Sequence, residues 1–198
     1  WKKTQAVIDS GGMYRMVTLG LWALVVCSVL AGFTGLLAYT GVSQLQAVVR
    51  AVGLALLLNI TLAKVRGIAA NHESAVITAL ILFFLTIPGI ALLDNWPLWT
   101  AIAVAVVSKY VITYRGQHIV NPAAFGAVAL SLPGIYEMSW WVANPVLFVP
   151  LLIVGVAVVY KVRKWGLVLA FVFVALVVYM AESVWLYELA AWSSFTTF

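Results

Sequence analysis

The sequence predicts an all-α integral membrane protein with about seven transmembrane segments. Two observations carry that expectation. Of 198 residues, 65% are hydrophobic and only 9% are charged, whereas soluble domains run near ~45–50% apolar and ~25% charged. The apolar residues also fall in runs, most of them near the ~17–25 residues a helix needs to span a bilayer. A soluble helical core of this size would lack the charged residues to cover its surface.

The apolar segments follow one another as Met16–Tyr39, Leu45–Ala63, Ala75–Leu93, Leu98–Tyr114, Ile119–Ile135, Pro145–Tyr160 and Trp165–Tyr187. No hydrophilic stretch between them is long enough for a soluble domain, so residues 1–198 read as a single transmembrane domain. The lone cysteine, Cys27, excludes an internal disulfide and a multi-cysteine metal or iron–sulfur site. No cleavable signal-peptide pattern opens the chain.

The charges predict the orientation. Lys2, Lys3 and Arg15 precede segment one. Lys64 and Arg66 fill the second connection, Lys109 and Arg115 the fourth, and Lys161, Arg163 and Lys164 the sixth. The odd connections hold almost no positive charge. By the positive-inside rule the N-terminus is cytoplasmic and the C-terminus outside, as expected for a bacterial inner membrane protein. The net charge of +5 therefore sets topology and is not a nucleic-acid signal. Arg50, inside segment two, is the exception; near the segment's start it can snorkel to the outer interface.

Segment five must cross fully for this alternation to hold, yet it is broken. Asn121 suits an N-cap and Pro122 the first helical position, while Pro133-Gly134 stops the helix. About 11 helical residues remain, or ~16 Å, roughly half a hydrocarbon core. Extended chain at Gln117–Val120 is expected to complete the crossing. Irregular backbone at that depth needs protein or a polar cavity around it. Broken helices in transporters aim their positive N-termini at bound groups.

These features nominate a site. Backbone N–H groups at Ala123, Ala124 and Phe125 are expected to be free for a carbonyl-rich heterocycle, a carboxylate or a phosphate, with Asn121 adding its amide. Lys109, Arg115, Gly116 and His118 lie on the approach; the three cationic or titratable ones read equally as positive-inside anchors. Trp140 and Trp141, before a second Asn-Pro step at Asn144-Pro145, read either as interfacial tryptophans or as a flat wall beside a ring-shaped ligand. His72-Glu73 lies on the same side as His118. Asn59, at membrane depth, should face a cavity or a partner. Gly32 and Gly35 read as a helix contact face. No phosphate loop, hydrolase nucleophile or paired metal carboxylates occur.

The stretch Asn71–Leu132, with "NHESAVITALILFFLTIP" and then "SKYVITYRGQHIVNPAAFG", resembles the flavin-carrying membrane subunits of the sodium-pumping NADH:quinone oxidoreductase and of the Rnf electron-transport complex (subunits B and D respectively). The resemblance implies a urea-transporter-like repeat. It also implies a redox-complex subunit without a complete active site of its own, passing electrons between other carriers. Riboflavin or FMN would bind near Lys109, Arg115, Gly116, His118, Asn121, Pro122, Ala123, Trp140 and Trp141. The family's Ser-Gly-Ala-Thr attachment motif is missing, since the corresponding region reads "MSWWVANPVLF", so any flavin is expected to be noncovalent. The chain is about half the family's length, which fits a fragment, a half that completes its site as a homodimer, or a small subunit beside other subunits. A half-helix start with Lys109 or Arg115 beside it would favour negative charge on the flavin.

Two rival classes compete. His118 before Asn121-Pro122-Ala123 is similar to the aquaporin signature, but with one residue too many in the spacing, and Asn144-Pro145 is too close to be its inverted partner. A urea-like or formate-like solute channel is the remaining form of that reading. The other class is an accessory structural subunit of a larger photosynthetic or respiratory complex, which suits a short chain with nine tryptophans.

Overall fold

All the expected apolar segments form helices in the computed structural model, which describes residues 2–89, 93–114 and 117–195. The description stops at the backbone for 2–11, 13, 93, 114, 117–118 and 186–195. In order the helices are α1 (Lys2–Phe33), α2 (Gly41–Val65), α3 (His72–Leu85), α4 (Trp96–Val111), α5 (Pro122–Ser131), α6 (Phe148–Val162) and α7 (Trp165–Phe195). A two-residue antiparallel ladder, β1 (Thr113–Tyr114) with β2 (Gln117–His118), bridges α4 and α5. Stretches within α1, α2 and α7 are long and apolar enough to cross a membrane, consistent with a helical membrane protein.

The chain divides into two units within α6, residues 1–155 and 156–198. In the first, α1 to α5 bury one another. Their contact faces are small: Ala47, Ala51 and Ala55 on α2, Ala79 on α3, and Ala101 and Ala105 on α4 are fully buried. Small residues let helix backbones approach closely where lipid supplies no hydrophobic drive. Gly126 shows such an approach to a neighbouring helix backbone. A Cβ there would lie 2.5 Å from the Ala101 carbonyl oxygen and 2.9 Å from the Ala105 Cβ. In the second unit, every described side chain of α7 is at least partly exposed.

Local chemistry sets the helix ends. Thr40 caps α2 by accepting from Ser43 N–H, and Asn71 caps α3 by accepting from Ser74 N–H. The α3–α4 connection is clamped by Asn95, whose amide exchanges two 3.0 Å hydrogen bonds with the Gly89 backbone. Gly32 is a contact residue, as expected; a Cβ would meet the Gln44 amide at 2.5 Å. Gly35 is not. It has φ of 74° and no neighbour within 4 Å. It ends α1 in the left-handed turn that brings Leu36 N–H back to the Ala31 carbonyl.

Segment five also departs from expectation. The stretch Gln117–Val120 does not extend the crossing. It folds back through the ladder onto the end of α4, where Ile119 N–H meets the Ile112 carbonyl. The irregular remainder follows the helix instead, because Pro133 cannot continue it and Gly134 adopts φ of 71°. Residues 132–147 then travel to the C-terminal end of α3. There Ser139 N–H donates to the Leu85 carbonyl, and the Trp141 indole donates to the Phe83 carbonyl at 3.0 Å. The first satisfies a carbonyl that the helix end leaves free, and the second adds to the long 3.4 Å bond that Thr86 N–H makes to Phe83.

Candidate functional site

The start of α5 is built by one side chain. Asn121 is extended, and its Oδ1 accepts from Ala123 N–H at 3.0 Å and Ala124 N–H at 3.4 Å. Pro122 has no N–H, and Phe125 N–H bonds the Asn121 carbonyl at 2.9 Å. The expectation of free backbone donors at Ala123, Ala124 and Phe125 is therefore overturned. The helix uses Asn121 Oδ1 as its own cap. What remains for a ligand is the Asn121 amide nitrogen and the positive end of a short helix dipole.

Asn121 borders a cavity of about 330 Å³, lined also by Tyr14 of α1, Ser74, Ile77, Thr78 and Ile81 of α3, and the rest of residues 119–123. The volume falls at the small end of ligand sites. Thr78 spends its hydroxyl proton on the Ser74 carbonyl at 2.9 Å. The Tyr14 and Ser74 hydroxyls have no hydrogen-bond partner among the described residues, and neither does the Asn121 amide nitrogen. The cavity's lining thus mixes three residues that keep a free polar group with apolar ones.

Of the predicted site residues, Asn121, Pro122 and Ala123 are together on this wall. Lys109 is not on it. It lines a second cavity of about 300 Å³ with Arg66, Asn71, Tyr110 and Thr113. Arg115 and Gly116 lie outside the described residues, as does the side chain of His118, whose backbone sits in β2. Trp140 and Trp141 are not on the wall either. Trp141 packs edge-on to Phe83 and Tyr39, with ring centroids 5.5 and 5.4 Å away, and Trp140 packs on Phe84. Asn144 is an ordinary turn cap, accepting from Val146 and Leu147 N–H. His72 and Glu73 are exposed.

Sequence reasoning missed Tyr14, Ser74 and Thr78. For the last two a signal existed, since they are polar residues four apart on an otherwise apolar helix. Tyr14 offers none, because its place depends on how α1 packs.

Asn59, fully buried, does have a partner, as its depth required. Its Oδ1 accepts from the Tyr110 hydroxyl at 2.8 Å and the Lys109 ammonium at 3.1 Å, and its amide nitrogen donates to the Asn71 carbonyl at 3.3 Å. This knot ties the end of α2 to the start of α3 and the end of α4. Arg50 lies nine residues into α2, ~13 Å along the axis, and its Nη1 is buried with no hydrogen-bond partner among the described residues.

Three helices long and apolar enough to span a bilayer are consistent with a helical membrane protein, and the start of α5 lines a small, part-polar cavity. Comparison with family models, curated proteins and solved structures finds no match to this chain.

Proposed function

We propose that the chain is a bacterial inner-membrane subunit that holds riboflavin or FMN noncovalently in the Asn121 cavity, as part of an electron-transferring complex. The observation that carries this reading is the cavity itself: about 330 Å³, lined by the polar residues Asn121, Tyr14 and Ser74 beside Ile77, Ile81 and Ile119. A flat heterocycle with several carbonyl and ring-nitrogen acceptors suits that combination of donors and apolar wall. No cation lines the cavity among the described residues, which favours the neutral tail of riboflavin over the phosphate of FMN.

A bound flavin would supply one- and two-electron transfer. The chain's own contribution is to orient the ring through Asn121, Ser74 and Tyr14 and to exclude water with Ile77, Ile81 and Ile119. The α5 N-terminus adds partial positive charge at the ring's edge, worth ~0.3–1 kcal/mol in exposed settings. Lys109, tied to Asn59, has no part in this.

The membrane topology belongs to the same reading: seven crossings, with the N-terminus in the cytoplasm. Two facts support it. Lys64, Arg66 and Lys109 gather at one end of the α2–α4 bundle. Residues 136–141 meet the opposite end of α3, as a full crossing by segment five requires.

Absorption spectra and mass spectrometry of the purified protein, before and after denaturation, test the cofactor. We expect a flavin spectrum that is released intact by denaturation and is lost in Asn121→Ala. A protein that is colourless as purified and takes up no riboflavin would end the proposal. The accessory-subunit reading rests on α7, whose apolar surface is exposed along its described length; stoichiometric copurification with a larger complex, without flavin, would favour it.

A further inference from the structure

The second cavity carries a separate assignment. It opens where the C-terminal ends of α2 and α4 meet the start of α3, encloses about 300 Å³, and is bordered by Arg66, Asn71, Lys109, Tyr110 and Thr113, with no carboxylate. Lys109 is half-buried there. An ammonium has three protons to donate. One goes to Asn59 Oδ1 at 3.1 Å and a second makes a long 3.5 Å contact to the Asn71 carbonyl. The third is left for the cavity. Both partners are neutral, so the charge is held in place without being neutralised. Asn59 is itself fixed by Tyr110, whose single hydroxyl proton is shared between its Oδ1 and its carbonyl, at 2.8 and 3.0 Å.

The local charge is unbalanced. Lys64 and Arg66 cap the end of α2, and Lys109 lies in the last turn of α4. Each helix C-terminus contributes about half a negative charge. The two cations that line the cavity, Arg66 and Lys109, outweigh that roughly one unit of negative charge, so the lining is left net positive, the sign an oxyanion requires. The Arg66 guanidinium matches oxyanion geometry, and the Thr113 hydroxyl adds a neutral donor on the same wall.

We infer that this cavity is an oxyanion site for a phosphate group, with Lys109 as its fixed cation and Arg66 as its mobile clamp. Such a group arrives either on a phospholipid, since basic pockets between helices on the cytoplasmic side take anionic headgroups, or as a free phosphate. The site is distinct from the Asn121 cavity and does not depend on flavin being bound there.

The test uses the full chain in two settings. In detergent, inorganic phosphate is titrated at constant ionic strength against chloride, following the unfolding temperature. In phosphatidylcholine nanodiscs doped with phosphatidylglycerol, retained lipid is counted by native mass spectrometry. Arg66→Gln and Lys109→Met should each weaken the response by about tenfold, the loss of one charge-assisted hydrogen bond. Lys64→Gln, which removes a cation of the same end that does not line the cavity, should change it less than twofold. Saturable stabilisation by inorganic phosphate with no lipid preference identifies a free phosphate. Selective lipid retention without a phosphate response identifies a headgroup. No saturable response to either probe overturns the site, and so does an equal loss in Lys64→Gln. Arg66 is exposed, so its variant reports even if Lys109→Met fails to fold. Flavin content, read on the same samples, should be unchanged in all three variants.

Discussion

A single acceptor atom, Asn59 Oδ1, serves both the Tyr110 hydroxyl and the Lys109 ammonium inside a helix bundle. Removing it leaves the Tyr110 hydroxyl only the Asn59 backbone carbonyl and the Lys109 ammonium only its long contact to the Asn71 carbonyl. Asn59→Leu keeps the volume and removes the amide, so it is expected to cost about 1–3 kcal/mol, the range for one under-satisfied buried group. Thermal unfolding in detergent reads the loss; a variant within experimental error of wild type would mean that water replaces the amide. The sequence marked Asn59 as a polar residue out of place but not its partners, two of which, Lys109 and Tyr110, lie 50 and 51 positions along the chain. The same limit applied at Asn121. Its role as a cap was legible from the Asn-Pro step, whereas its consumption of the very N–H groups nominated for a ligand follows from the direction its side chain takes.

Among the elements, α3 depends on distant chain for its C-terminal end. It stops at Leu85 ahead of Thr86 and Pro88, and its last carbonyls are met by Ser139 N–H and the Trp141 indole. Trp141→Phe keeps the aromatic packing on Phe83 and Phe84 and deletes one hydrogen bond. We expect a loss of about 1 kcal/mol, seen as a lower unfolding temperature without loss of helix content by circular dichroism. A neutral outcome would mean that packing alone holds this segment. Helix existence and approximate bounds were readable throughout, because hydropathy and Gly/Pro punctuation are local. The direction of Gln117–Val120 was not, since a hairpin and a straight extension have the same composition. The two tryptophans were readable as aromatic and apolar, but their destination against Phe83 and Phe84 is a matter of tertiary packing.

For the molecule as a whole, the proposed topology places the 66–71 and 136–143 connections on opposite sides of the membrane. In a Cys27→Ala background, a membrane-impermeant maleimide should label Glu137→Cys in intact cells and Ile68→Cys only after lysis. Both positions are exposed in the structure. Labelling of both from one side would make segment five re-entrant and invert the last two helices. The charge alternation supplied this arrangement from sequence alone. It could not supply which cations share a cavity, and so placed Lys109 beside Asn121 when the fold sends it to Arg66.

The division of the chain within α6 has a consequence for biosynthesis. Among the described residues, every buried apolar side chain of the core, and every partly buried one packed on it, comes from before position 155. A ribosome would therefore have delivered all the parts of that core before α7 is made, so the bundle can close while the last helix is still being translated. A chain ending after Lys164 should insert, resist protease and keep both cavities. Its failure to accumulate in membranes would show that the last helix is a chaperone for the rest.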